Sequence, residues 1–205
     1  MLTDLTIREF LDKTAAGEPL PGGGSVSALA GALAAALAEM VARLTVGKKG
    51  YEEFSEQMAA VAEEASRLRQ EMSRSIDRDA DAYGQVLQAF RLPGESPEQA
   101  QKRRAAVEEA FKQAARVPLA VARDALRIFD LAETAVKRGN RNAASDGIVA
   151  ALMAKTALLG AAGNVRINLD AIRDQDFVRD LAGQVRDLLA EIGRRESRLR
   201  LMADI

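Results

Sequence analysis

Five groups of residues in this 205-residue chain have the types and spacing for chemistry. The first is Pro21-Gly22-Gly23-Gly24-Ser25, where three glycines lead into an Ala-rich run. Glycines let a backbone approach a ligand closely, and a helix that starts there offers unpaired N–H groups to an anion. Ser25 stands where an N-cap would stand. A tight turn into a core helix explains the same residues. The second group is Asn140-Arg141-Asn142 with Ser145-Asp146 just beyond. Capping accounts for one or two of these side chains, and a polar site for the set. The third is Asp77 and Asp81, one helical turn apart, with Asp79 off that face. Repulsion between such carboxylates raises one pKa into a range useful for proton transfer. Arg74 and Arg78 offer the alternative of simple neutralisation. Two carboxylates without a third ligand do not argue for a metal, and none is assigned. The fourth group, Lys48-Lys49, suits the anionic end of a substrate or a solvated turn. The fifth, Asn164 and Asn168, is again one turn apart and suits a polar ligand or an interhelical clamp.

The elements that must position these groups all read as helices. Thr6 and Glu9 form a capping box ahead of Ile7, Phe10 and Leu11. Gly17, Pro19 and Pro21 end that short helix. Ala-rich sequence then predicts a central, buried helix to about Val46, its small side chains admitting a neighbouring backbone. Gly47-Lys48-Lys49-Gly50 is a break. Three- and four-residue apolar spacing continues from Tyr51 to about Ala89. Ser96-Pro97 opens a further helix, and Pro118 is expected to break or kink it before it resumes over Leu119–Val136. A second small-residue helix is expected from Ser145 to Leu169, and a last one over Phe177–Met202. Eighteen residues separate Asp146 from Asn164, roughly 27 Å along a straight helix. The two cannot share one small-molecule site on a straight helix; if both are functional, one faces a different region or another subunit completes the site.

With no sustained alternation, the expected fold class is an all-α, up-and-down bundle of one domain over residues 1–205, with two buried small-residue helices. A net charge of −1 argues against general nucleic-acid binding. The chain has no Cys and no His, so any chemistry rests on Asp, Glu, Lys, Tyr, Asn, Ser or backbone groups. Met1-Leu2-Thr3-Asp4 lacks the pattern of a signal peptide, and Val26–Ala38 is too short to span a bilayer; a cytoplasmic protein without membrane association is the expectation.

Pro21–Leu37, Leu44-Thr45-Val46-Gly47-Lys48-Lys49, Asn140-Arg141-Asn142 with Ser145-Asp146, and Gly163-Asn164-Val165-Arg166-Ile167-Asn168-Leu169 together resemble the formiminotransferase-cyclodeaminase C-terminal domain family, in matching order over nearly the whole chain. Asp77, Asp81 and Pro93 are less distinctive matches, and Arg141 stands where members often carry proline. The resemblance implies a homodimer or higher homo-oligomer that acts on a tetrahydrofolate derivative without a further cofactor. The activity would be that of a stand-alone methenyltetrahydrofolate cyclohydrolase or formiminotetrahydrofolate cyclodeaminase. It implies Asp146 as the leading catalytic carboxylate, with Asp81 and Asp77 second. Substrate binding would fall to Gly22, Gly23, Gly24, Ser25, Lys48, Asn140, Asn142, Ser145, Asn164 and Asn168. A non-catalytic helical scaffold, or an enzyme of this fold with a non-folate substrate, is the alternative.

Overall fold

The computed structural model describes residues 1–203, with side chains to residue 197. The described residues form six α-helices and no strand. Helix α1 (Ile7–Ala15) begins at the capping box read from the sequence: Thr6 Oγ1 accepts from the Glu9 N–H, and a Glu9 carboxylate oxygen accepts from the Thr6 N–H at 2.8 Å. Helix α2 (Gly23–Arg43) starts one turn earlier than a Ser25 cap would place it. Gly22 is the N-cap and Ser25 already lies within the first turn, because the exposed N–H groups of that turn find a partner on another helix. After a turn with Gly47 and Gly50 at positive φ, helix α3 covers Ser55–Phe90. Ser96 and Gln99 form a second capping box at the start of helix α4 (Pro97–Arg138). Helix α5 (Ala144–Leu169) and helix α6 (Gln175–Ala203) complete the chain.

Of the break or kink expected at Pro118, the break does not occur: α4 runs through it for 42 residues. An interior proline costs roughly 3 kcal/mol through a lost hydrogen bond and a clash with the carbonyl four residues back. Here Pro118 is buried, and its neighbours Ala114, Ala115, Leu119 and Ala122 are buried with it. Tertiary packing along α4 outweighs that local cost.

Short connections make consecutive helices antiparallel. Helix α2 packs on α3, α4 and α5, and α5 packs on α2, α4 and α6, so the two small-residue helices occupy the centre. Ala28, Ala34, Ala35 and Ala38 of α2 and Ala150, Ala151, Ala154, Ala157 and Ala161 of α5 are fully buried. Their backbones approach closely: a Cβ on Gly160 would lie 2.3 Å from Ser27 Oγ, and one on Gly31 would meet Met72 Sδ at 2.8 Å. Gly23 lies beside Asn164 and Ser27 beside Gly160, so α2 and α5 run in opposite directions.

Neither helix is buried all round, which corrects the sequence-based expectation. Val26, Leu33, Met40 and Leu44 of the α2 segment, and Val149, Leu152, Leu159 and Ile167 of α5, are 37–71% exposed. They recur at three- to four-residue and seven- to eight-residue spacing. Each helix therefore has one apolar face in the core and a second on the surface. In length and hydropathy both helices reach what a membrane span needs, further than Val26–Ala38 alone suggested. The bundle itself supplies the apolar surroundings of their inner faces.

Candidate active site

A carboxylate on the core-facing stripe of α3 organises the site. Leu68, Met72 and Ile76 point inward, and the next position at helical spacing is Asp79. Its carboxylate meets the start of α2. Ser25 Oγ lies 3.0 Å from Asp79 Oδ2 and 3.0 Å from the Ile76 carbonyl oxygen, and the Ser25 N–H also donates to Asp79. Asp79 thus supplies, from another helix, the cap that no side chain of α2 provides. The contact requires glycine at position 24, because a Cβ there would lie 2.0 Å from Asp79 Oδ1. Burial pushes the Asp79 carboxyl above its usual range, although both Ser25 hydrogen bonds favour the charged form.

Around this carboxylate lies a cleft of about 240 Å³, with Gly22, Gly23 and Gly24 on one side and Tyr83, Asn164 and Asn168 among its other walls. Both asparagine amides are oriented by backbone carbonyls. Asn164 Nδ2 donates to the Gly160 carbonyl at 2.9 Å. Asn168 Nδ2 donates to the Asn164 carbonyl at 3.0 Å and to the Ala114 carbonyl of α4 at 3.0 Å. Carbonyl partners require the NH2 ends, so each amide can offer a ligand its oxygen, and Asn164 keeps one N–H besides. Two acceptor oxygens and a desolvated carboxylate suit a ligand edge rich in N–H donors or a delocalised cation.

The structure therefore joins Gly22, Gly23, Gly24, Ser25, Asn164 and Asn168 in one place, as the sequence suggested. It puts the two other aspartates of α3 elsewhere. Asp77 accepts from the Leu2 N–H and, at 2.7 Å, from Thr3 Oγ1, which ties down the N-terminal segment. Asp81 is exposed. Arg74 and Arg78, expected to neutralise that pair, both bind Glu71. The anion at the α2 N-terminus is the protein's own Asp79, so that terminus is not vacant for a substrate tail.

The remaining residues gather at the opposite end of α2 and α5. Asn140 Oδ1 accepts from the Asn142 N–H at 3.1 Å, which is capping geometry. The Asn140 N–H donates to Thr45 Oγ1 at 2.9 Å, and the Arg141 N–H donates to Tyr51 Oη at 3.0 Å. These bonds join the turn before α5 to the turn that carries Lys48. Ser145 and Asp146 sit in the first turn of α5, with Ser145 exposed and Asp146 half-buried. Along α5 this end lies roughly 27 Å from Asn164.

Asp79 is the residue that sequence reasoning missed. The signal was present: with Met72, Ile76 and Tyr83 it keeps inward 3–4 spacing, so it is a carboxylate on an apolar stripe. The Asp77–Asp81 pair drew attention to the wrong face.

A sequence profile of the formiminotransferase-cyclodeaminase family matches residues 6–187. The chain belongs to that family. It is 39% identical over 194 residues to a methenyltetrahydrofolate cyclohydrolase of Methylorubrum extorquens, covering 95% of this chain and 93% of the relative. It is 33% identical over 190 residues to the formimidoyltransferase-cyclodeaminase of Rattus norvegicus, of which it spans 35%. The crystal structure of a formiminotetrahydrofolate cyclodeaminase from Thermotoga maritima superposes with a TM-score of 0.88 at 32% identity, covering 98% of this chain and 97% of that one. Within this formiminotransferase-cyclodeaminase family member, the glycine loop, Asp79 and the two asparagines line one cleft of the described bundle.

Proposed function

We propose that this chain is an enzyme of tetrahydrofolate one-carbon chemistry that hydrolyses 5,10-methenyltetrahydrofolate to 10-formyltetrahydrofolate. The observation that carries the reading is the desolvated Asp79 carboxylate at the mouth of the glycine loop, facing two oriented amides. The substrate is a planar amidinium cation, which a carboxylate in a poorly hydrated cleft stabilises. Water adds to the carbon between N5 and N10 and gives one proton to Asp79. That proton then passes to N5 as the carbon–N5 bond breaks, and the remaining hydroxyl proton leaves to solvent as the formyl carbonyl forms. A carboxyl with a raised pKa suits both transfers. The reaction calls on no cofactor beyond the folate.

The same site suits cyclodeamination as a second reading, favoured by the Thermotoga maritima structure. There N10 attacks the formimino carbon, Asp79 passes the N10 proton to the formimino nitrogen, and a second proton from solvent lets that nitrogen depart as ammonia as the amidinium cation forms.

The enzyme acts as a homodimer in this proposal, through the exposed apolar stripes of α2 and α5. A two-fold axis lying in that face and crossing the helices sets the Lys48–Asn140–Asp146 end of one copy beside the Asp79–Asn164 end of the other. Three observations support this arrangement. The cleft's 240 Å³ is below the roughly 300–1,000 Å³ of small-molecule sites. No Lys or Arg is among the described residues that line it, although a folate ends in carboxylates. The far end carries Lys48, Lys49 and Arg141. In this arrangement Lys48 from a second copy binds the anionic tail, and Asn142, Ser145 and Asp146 contribute to the closed wall.

The test is the near-ultraviolet absorbance of 5,10-methenyltetrahydrofolate mixed with the purified protein. Protein-dependent loss supports the cyclohydrolase. Growth of that band from 5-formiminotetrahydrofolate supports the cyclodeaminase. Silence in both, with no thermal protection by folate, removes the folate reading.

A further inference from the structure

Two features left over from the fold meet at one atom. Pro118 sits inside α4, where a proline is unfavourable, and the carbonyl it leaves without a helical N–H partner is that of Ala114, four residues back. Ala114 lines the cleft, and its carbonyl oxygen receives Asn168 Nδ2 at 3.0 Å. The second amide hydrogen of Asn168 goes to the Asn164 carbonyl, so both donors are occupied and only Oδ1 remains for a ligand. We infer that Pro118 is a positioning residue of the site: by withholding an N–H from the Ala114 carbonyl, it reserves that oxygen for Asn168 and so presents the Asn168 oxygen to the cleft as an acceptor.

Any other residue at 118 carries an N–H that returns the Ala114 carbonyl to the helix ladder. The proline ring also crowds that carbonyl, and Asn168 reaches it from α5 at 3.0 Å. Without this anchor the amide keeps only its bond to the Asn164 carbonyl, its orientation is held less firmly, and one N–H is released toward the cleft. A donor facing a donor-rich ligand edge is a mismatch in a buried setting, where unsatisfied polar groups are costly. The inference rests on the folate reading for its kinetic consequence, but the anchor itself exists whatever the ligand.

The experiment is a double-mutant cycle on Pro118→Ala and Asn168→Ala, with Pro118→Val as a second replacement that supplies the same N–H and keeps the buried volume. For methenyltetrahydrofolate hydrolysis, Pro118→Ala is expected to raise KM about three- to tenfold, the worth of one hydrogen bond, with kcat within about twofold. In an Asn168→Ala background the same replacement is expected to change KM by less than about twofold. A simple structural role for Pro118 predicts equal effects in both backgrounds, and that result overturns the inference, as does an unchanged KM in both Pro118 variants. The side-chain NH2 of Asn168, followed by ¹⁵N NMR, gives a readout that needs no turnover. Slow hydrogen exchange in the wild type that accelerates in the Pro118 variants supports the anchor, and equal exchange rejects it. If the wild type turns over neither folate, the folate reading fails while this measurement still decides the inference.

Discussion

Asp79, Asp77 and Asp146 test the site at the scale of single residues. Asp79→Asn is expected to lower kcat by about 10²- to 10⁴-fold, the usual worth of a general acid–base group, as measured by the absorbance assay. The same variant should be more heat-stable than the wild type at neutral pH. The sign follows from the direction of the shift. Burial raises the native pKa of Asp79, so its charged form is held at a cost. That cost is full above the native pKa and disappears as pH falls through it. The melting-temperature gain of Asp79→Asn should therefore be largest at neutral pH and shrink toward the ordinary carboxylate range, ~4 to 5. Glu39, Glu64 and Glu71 run the opposite way. Arginine hydrogen bonds lower their pKa values, so the stability they add is present at neutral pH and lost in acid. Asp77→Asn should keep kcat within about twofold and loosen the Leu2–Thr3 segment, seen as faster amide exchange there. Asp146→Asn with unchanged kcat and KM would remove the far end of α5 from the site.

The start of α2 and its crossing with α5 set the constraints at the scale of elements. The N-terminus of α2 has no side-chain cap of its own, so its orphan N–H groups and the buried charge of Asp79 satisfy each other. Gly24→Ala should push that carboxylate out of place, and a loss of activity approaching that of Asp79→Asn is expected with the helix content intact by circular dichroism. The crossing depends on small residues. Gly160→Val should cost about 1–3 kcal/mol in urea unfolding, because Ser27 Oγ stands where the new side chain must go. The six helices, their order and most of their ends were legible from apolar spacing, capping boxes and glycine or proline stops. Two local readings failed for tertiary reasons. Ser25 is inside α2 because its cap comes from α3, and α4 survives Pro118 because its flanks are buried on both sides.

At the scale of the molecule, the exposed apolar face of α2 and α5 is the feature that a single chain leaves unsatisfied. Two helices packed about 10 Å apart and about 30 Å long present on the order of 600 Å². Pairing two copies buries about 1,200 Å², the lower bound of a standard interface. Leu33→Glu with Leu152→Glu should give a smaller species by sedimentation and less activity. Mixing two inactive variants, Asp79→Asn and Lys48→Ala, after partial denaturation and refolding should restore about a quarter of wild-type activity. Half the dimers are then mixed, and each mixed dimer holds one intact site. No recovery would place the two ends of α5 in separate roles.

Composition and periodicity by themselves determined that the described chain is all-helical, that glycine- and alanine-rich helices occupy its centre, and that any chemistry proceeds without His or Cys. They also brought Gly22–Ser25, Asn164 and Asn168 forward, because glycine runs and paired amides are local patterns. Which carboxylate joins them was decided only by the tertiary structure. Helical spacing along α3 puts Asp79, unlike Asp77 and Asp81, on the apolar stripe, but it cannot say that this stretch of the stripe meets the start of α2. The packing of α3 on the start of α2 chose Asp79, the one of these three aspartates that reaches the uncapped helix end and is buried enough for its pKa to rise.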